Sequence, residues 1–118
     1  MDIEKVRKYC LKKKKATEGL PFGEDVLVFK VMNKMFCLAN LNPPHTINLK
    51  CVPELAIELR ERYDAVIPGY HMNKTHWNTI ALNGSVADKE ILNWIDHSYE
   101  LIVASLPKEE RERLMLDS

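Results

Sequence analysis

The stretch GYHMNKTHWNTIAL, residues 69–82, concentrates the residue types that can do chemistry in this chain. His71 and His76 could ligate a metal or carry a proton, Lys74 could meet a phosphate, and Tyr70 and Trp77 offer rings on which a base can stack. If Asn73-Lys74 is a two-residue hairpin turn, His71 lies opposite His76 and Tyr70 opposite Trp77, about 5 Å apart at Cβ. Successive strand residues point to opposite faces, so the histidine pair and the aromatic pair occupy different faces. The bulk of Ile67, Ile80 and Leu82 then places the histidine face partly under cover. Two histidines fall short of a zinc site, which needs a third protein ligand and often a fourth. His45, His97, Asp96 and the cysteines have no spacing that brings one there. No metal and no cofactor are therefore expected. The Tyr70-Trp77 pair reads as sheet packing ahead of a base platform, because no interleaved set of aromatics and cations runs along several strands.

Other arrangements carry less. Asp96-His97 has the composition of a catalytic dyad, but adjacent helical residues do not face each other. Neither G-x-x-x-x-G-K nor G-x-S-x-G occurs, which removes a phosphate loop and a nucleophile elbow. Cys10, Cys37 and Cys51 form no C-x-x-C pair, so they are expected as reduced, buried thiols. No enzyme is expected on these grounds.

The elements that must position the 69–82 stretch follow from periodicity. Ile3, Val6 and Cys10 keep helical spacing behind a capping Asp2. The run KKKK, Lys12, Lys13, Lys14 and Lys15, reads first as a solvated helix end, where cations favour the exposed carbonyls. VLVFKV at 26–31 and MFCLANL at 35–41 read as strands joined through a turn at Asn33-Lys34. TINLKC at 46–51 alternates strictly, which means one buried face and one wet face. PELAIELRERY at 53–63 is a helix opened by Pro53. Ile91, Trp94, Ile95, Tyr99 and Ile102 recur at helical spacing behind a capping box of Ser85 and Asp88, and KEERERLML at 108–116 is a short terminal helix. VMNKMF at 31–36 and HMNKTH at 71–76 look like one turn chemistry used twice.

The order predicts an α+β domain spanning 1–118: a two-layer, antiparallel five-stranded sheet with helices packed on one face, α-β-β-β-α-β-β-α plus a short C-terminal helix. The 118 residues suffice for one core, and 46% hydrophobic with 29% charged is a globular composition. No apolar run is long enough to span a bilayer and the first residues lack a signal-peptide core, so a cytoplasmic protein with no membrane partner is expected. Net charge is zero, yet residues 1–15 hold seven Lys or Arg against two acids. That local excess keeps nucleic acid open as a partner.

LPFGEDVLVFKVMNKMFCL, INLKC with PELA, IPGYHMNKTHWNTIAL and IDHSYELIVASLPK, in that order over residues 9 to 110, together resemble the MmcQ/YjbR family. The resemblance implies a fold like that of the secretion chaperones, in small bacterial cytoplasmic proteins predicted to bind DNA through a double-wing arrangement. It implies no catalytic residues. The positions it offers for a ligand are Lys50, His71, Asn73, Lys74, His76, Trp77 and Asn78, joined on charge grounds by Lys34 and Lys12 to Lys15. Duplex DNA is the expected partner. A chaperone-like protein-interaction module is the alternative, and a small-molecule role around His71, His76 and Trp77 ranks third. The oligomeric state stays open, with a monomer favoured.

Overall fold

Asp2 starts the first helix as the sequence indicates: its carboxylate accepts a hydrogen bond from the Lys5 N–H at 2.8 Å. The computed structural model describes residues 1–70 and 72–116. Among them run α1 (Ile3–Leu11), β1 (Ala16–Gly19), β2 (Val26–Val31), β3 (Lys34–Asn40), β4 (Thr46–Lys50), α2 (Pro53–Arg62), β5 (Val66–Pro68), β6 (Trp77–Ala81), α3 (Asp88–Ala104) and α4 (Lys108–Leu116). The strands form one antiparallel sheet in the order β1-β2-β3-β4-β6-β5. It is the expected α+β architecture with six strands rather than five. The extra strand, β1, has the sequence ATEG, too poor in β-formers to announce itself. It is a strand because β2 offers a free edge, and the Arg7 guanidinium of α1 holds it there with two 2.8 Å bonds to the Glu18 carboxylate. That pairing holds Glu18 below the usual carboxylate range.

The helices cover one face. Phe29, Val31, Cys37, Ala39, Ile47, Leu49, Val66 and Ile80 point from the sheet into a core shared with Val6 and Cys10 of α1, Ala56 and Leu59 of α2, and Ile91, Ile95 and Ile102 of α3. Ser98 of α3 is buried in this layer. Its hydroxyl donates to the Phe36 carbonyl at 2.6 Å and accepts from the Lys50 N–H at 2.9 Å. Among the described residues no helix lies over the other face, which carries a smaller cluster of Val28, Leu38 and Trp77, with Met35 and Met72 against it.

Three local expectations are corrected. The β2–β3 turn is Met32-Asn33, both left-handed at φ 49° and 69°, not Asn33-Lys34. The cause is a bulge: Phe29 pairs with Cys37 and Lys30 with Met35, so Phe36 is the extra residue and the turn moves up by one. Asn73-Lys74 is not a hairpin turn. The pairing is Val66↔Ile80, Ile67↔Thr79 and Pro68↔Asn78, followed by the loop 69–76. This is a one-residue slip, and it reverses β5. Val66 is buried opposite Ile80, while Ile67 is 50% exposed opposite Thr79 on the open face. Finally, α3 has Ala87 at its N-cap with no side-chain cap, so Asp88 is the first helical residue and Ser85 and Asp88 form no capping box.

Candidate nucleic-acid interface

Strand direction decides which turns share an end of the sheet. Ala16 lies beside Val31, Val31 beside Lys34, Cys37 beside Leu49, and Lys50 beside Trp77. The lysine run entering β1, the β2–β3 turn, the end of β4 and the loop 69–76 therefore lie at one end. Residues 12–17, 30–36, 48–53 and 69–77 contain no Asp or Glu. The loops at the opposite end, residues 20–25, 41–45, 63–65 and 82–84, contain no Lys or Arg and include Glu24, Asp25 and Asp64. Every lysine singled out from the sequence falls at the first end, together with Lys30, which periodicity alone had marked as ordinary strand.

These lysines are not equivalent. Lys34 and Lys74 are exposed, one at each projecting turn. Lys50 is half-buried at the end of β4, on the open face beside Trp77. Lys12 and Lys15 are exposed. Lys13 is tied into the helix layer: its ammonium is ion-paired with the Asp96 carboxylate and lies 5.0 Å from the Tyr9 ring centre and 5.6 Å from that of Tyr99. Lys14 donates to the Met115 carbonyl at 3.1 Å. With Lys13 and Lys14 anchored in this way, the run does not act as one basic block.

The loop 69–76 is short of regular structure but well tied. The Gly69 N–H donates to the Trp77 carbonyl at 2.8 Å, and the Tyr70 N–H leaves the ladder for the Thr79 hydroxyl at 2.9 Å. Asn73 Oδ1 accepts from the Thr75 N–H at 2.9 Å, and its carbonyl accepts from Trp77 N at 3.0 Å. This is a different turn from Met32-Asn33, so the MNK echo is not shared turn chemistry. The His76 carbonyl accepts from the Cys51 N–H at 2.8 Å. From α2, Arg60 reaches across the layer: Nε donates to Asn78 Oδ1 at 2.7 Å, and Nη2 donates to the carbonyls of Lys74 and of Trp77, the latter at 3.3 Å. Asn78, buried, also donates to the Ala56 carbonyl at 3.3 Å. Nothing in the sequence pattern flagged Arg60, because a helix-surface arginine looks solvated until a loop is folded under it.

The aromatic and histidine expectations divide. Trp77 is 9% exposed and packs against Val28 and Leu38, so its ring is sheet packing and not a platform. Gly69, not Tyr70, stands opposite Trp77, and Tyr70 is 66% exposed. His76 is exposed. His71, and with it the His71–His76 pair, lies outside the described residues. Among the described residues no group of three or more His, Cys, Asp or Glu is placed to hold a metal, and no helix is long and apolar enough to cross a membrane. Asp96 and His97 serve different partners: Asp96 accepts from the Tyr9 hydroxyl at 2.7 Å, and His97 Nε2 accepts from the Val52 N–H at 3.3 Å. The three cysteines are free and buried. A hydrogen bond with Cys10 and burial raise the Cys37 thiol well above its ordinary pKa, and burial pushes Cys51 up to about 11. Both shifts run opposite to nucleophile activation.

The uncovered face carries a groove of about 620 Å³ that runs along the strands, from Met35 and Asn73 near the lysine end to Val26, Asn40 and Thr46 at the other. Phe22, from the β1–β2 loop, and Tyr70 line it above a floor that includes Val26, Met35 and Leu38. Its polar groups are neutral: asparagines 40, 48 and 73 and threonines 46 and 79.

A family model described as YjbR matches residues 11–101. The protein YjbR of Escherichia coli strain K12 is 35% identical over 117 residues, 98% of each chain. YyaQ of Bacillus subtilis strain 168 is 36% identical over 75 residues, 64% of this chain and 63% of that one. The crystal structure of a Deinococcus radiodurans protein with a DUF419 domain superposes with a TM-score of 0.89 at 34% identity, over 95% of this chain and 86% of the other. A Pseudomonas syringae crystal structure gives 0.76 at 31% identity, over 86% and 98%.

Proposed function

The chain belongs to the YjbR family, and from that premise we propose that it is a cytoplasmic bacterial DNA-binding module whose two projecting turns grip the phosphate backbone. One observation carries the reading. The topology brings Lys34, Lys74, Lys50 and the lysine run to one end of the sheet, where the adjoining loops hold no carboxylate. Phosphate contacts supply most of the affinity of such modules, and a local cationic surface provides them even when net charge is zero. Lys34 on β3 and Lys74 on the loop 69–76 act as the wing contacts. Lys12, Lys15 and Lys50 extend the surface, and Arg60 holds the second wing in shape through the carbonyls of Lys74 and Trp77.

The test is duplex-DNA binding by fluorescence anisotropy across salt concentration. Each phosphate contact contributes roughly −0.9 to the slope of log K against log salt, so Lys34→Ala with Lys74→Ala is expected to flatten that slope by about two. Undetectable binding at low salt, or an unchanged slope in the double variant, refutes the reading. A protein-docking module has less to stand on. The exposed large apolar residues on helices are Ile57 of α2, 53% accessible, and Met115 and Leu116 at the end of α4, 77% and 81%, which lie on two helices and not along one strip.

A further inference from the structure

We infer that the groove on the uncovered sheet face is a nucleobase site, in which an unpaired base of a single strand lies against Phe22 and Tyr70 while its flanking phosphates meet the lysines of the two turns. This rests on the nucleic-acid reading above and names the form of nucleic acid that the same end accepts.

The groove reaches the basic end at one side only and extends along the face to Val26, Asn40 and Thr46, with Phe22 over that far part. Met35 and Asn73 line it, and in the chain they are the immediate neighbours of Lys34 and Lys74. A strand held by those two lysines has its backbone at the mouth and its bases directed along the face. Among the described residues the lining has no charged side chain, so a phosphate has no reason to enter, whereas a base is uncharged. At about 620 Å³ the groove falls within the roughly 300–1,000 Å³ of small-molecule sites. A double helix cannot fill it with a base without unpairing, so single-stranded or locally opened nucleic acid is the occupant.

The chemistry of the walls matches a base. Phe22 and Tyr70 are 63% and 66% exposed, so each presents ring surface on which a base can stack. Aromatic faces accept any base by stacking. The floor is apolar at Val26 and Leu38, and the polar groups around it are amides and hydroxyls, the partners that read base edges. One of them is already oriented: Thr79 donates its hydroxyl to Asn48 Oδ1 and accepts from the Tyr70 N–H. With its oxygen committed, Asn48 presents N–H donors, complementary to a base carbonyl such as those of thymine.

The experiment compares a labelled oligothymidylate with an abasic strand of the same length and phosphate number, at matched salt, for the native chain and for Phe22→Ala, Tyr70→Ala and the double variant. Native protein is expected to bind the oligothymidylate at least about fivefold tighter than the abasic strand, since one stacked base contributes about five- to 150-fold. The double variant is expected to abolish that difference while keeping its affinity for the abasic strand and its salt slope. Both rings are exposed, so folding is expected to persist, and an unchanged thermal unfolding curve verifies it. Equal binding of the two strands by the native protein, or an undiminished difference in the double variant, overturns the base site and leaves duplex binding to be judged on its own slope. Absence of binding to both single strands and duplex at low salt overturns both readings.

Discussion

Tyr9 shows how a single residue can look unremarkable in sequence and yet set a measurable property. Its hydroxyl donates to Asp96, and that bond, with burial and the carboxylate's charge, pushes its pKa from 10.0 up to about 12. A raised folded pKa means that the folded state holds the proton longer than the unfolded chain. The bond's contribution to stability is full below pH 10 and is lost as pH rises toward 12. Cys51, raised by burial from 9.0 to about 11, acts in the same direction over a lower window. Tyr9→Phe is expected to reduce the upper part of the alkaline stability loss, to which the raised Tyr99 and Cys37 also contribute, and to keep the lower, read by denaturant titration at several alkaline pH values. Gly69 is a second case. A Cβ there would stand 2.8 Å from Trp77 Cβ, 2.9 Å from the Trp77 carbonyl oxygen and 3.1 Å from Met72 Cβ. Since backbone must give way, Gly69→Ala is expected to cost about 1–3 kcal/mol in a urea titration. The sequence marked Gly69 only as the start of a motif. Its requirement comes from the closeness of two strands, which no local pattern encodes. Trp77 was legible in kind, as packing, but not in partner: the expected neighbour was Tyr70, and the actual ones are Val28 and Leu38.

Elements with a full period were readable. The alternation of TINLK, the helical spacing from Ile91 to Ile102 and the Pro53 start all correspond to β4, α3 and α2. What failed were counts of one residue. The bulge at Phe36 moves the first turn, and the slip between β5 and β6 exchanges the faces of Val66 and Ile67. Both are settled by packing across the sheet: Phe36 lies edge-on to Tyr99 at 5.2 Å between ring centres, and its carbonyl takes the Ser98 hydroxyl. The bulge yields a distinctive test. Deleting Phe36 removes the extra residue and leaves Met35 on the open face and Cys37 in the core. Deleting Leu38 instead forces the residues before it to change faces or the pairing to slip. The first deletion is expected to give a folded, weakened protein, with a loss of about 3–5 kcal/mol for the ring. The second is expected to give none, and the amide spectrum of each chain by NMR distinguishes the two.

At the scale of the whole molecule, the lopsided charge was visible as a count but not as a shape. Sequence order placed the lysines far apart; the strand order β1-β2-β3-β4-β6-β5 collects them. Sheet order depends on which edges meet, and a single sequence does not state it. The collected arrangement makes position more important than total charge. Glu24→Gln with Asp25→Asn raises the net charge by two at the acidic end and is expected to change duplex affinity by no more than about twofold. Lys34→Gln with Lys74→Gln lowers it by two and is expected to weaken binding at least tenfold at low salt, by anisotropy. The same separation of loop charges is a dipole component along the strands, in a chain of zero formal net charge. Such a field falls off faster with distance than that of a net cation, and physiological salt confines it to about 8 Å. On the DNA-binding reading the molecule is therefore not drawn to its partner from afar; it is turned. In the final approach the torque brings the lysine end round first, so the gain lies in the fraction of collisions that arrive correctly oriented rather than in the number of collisions.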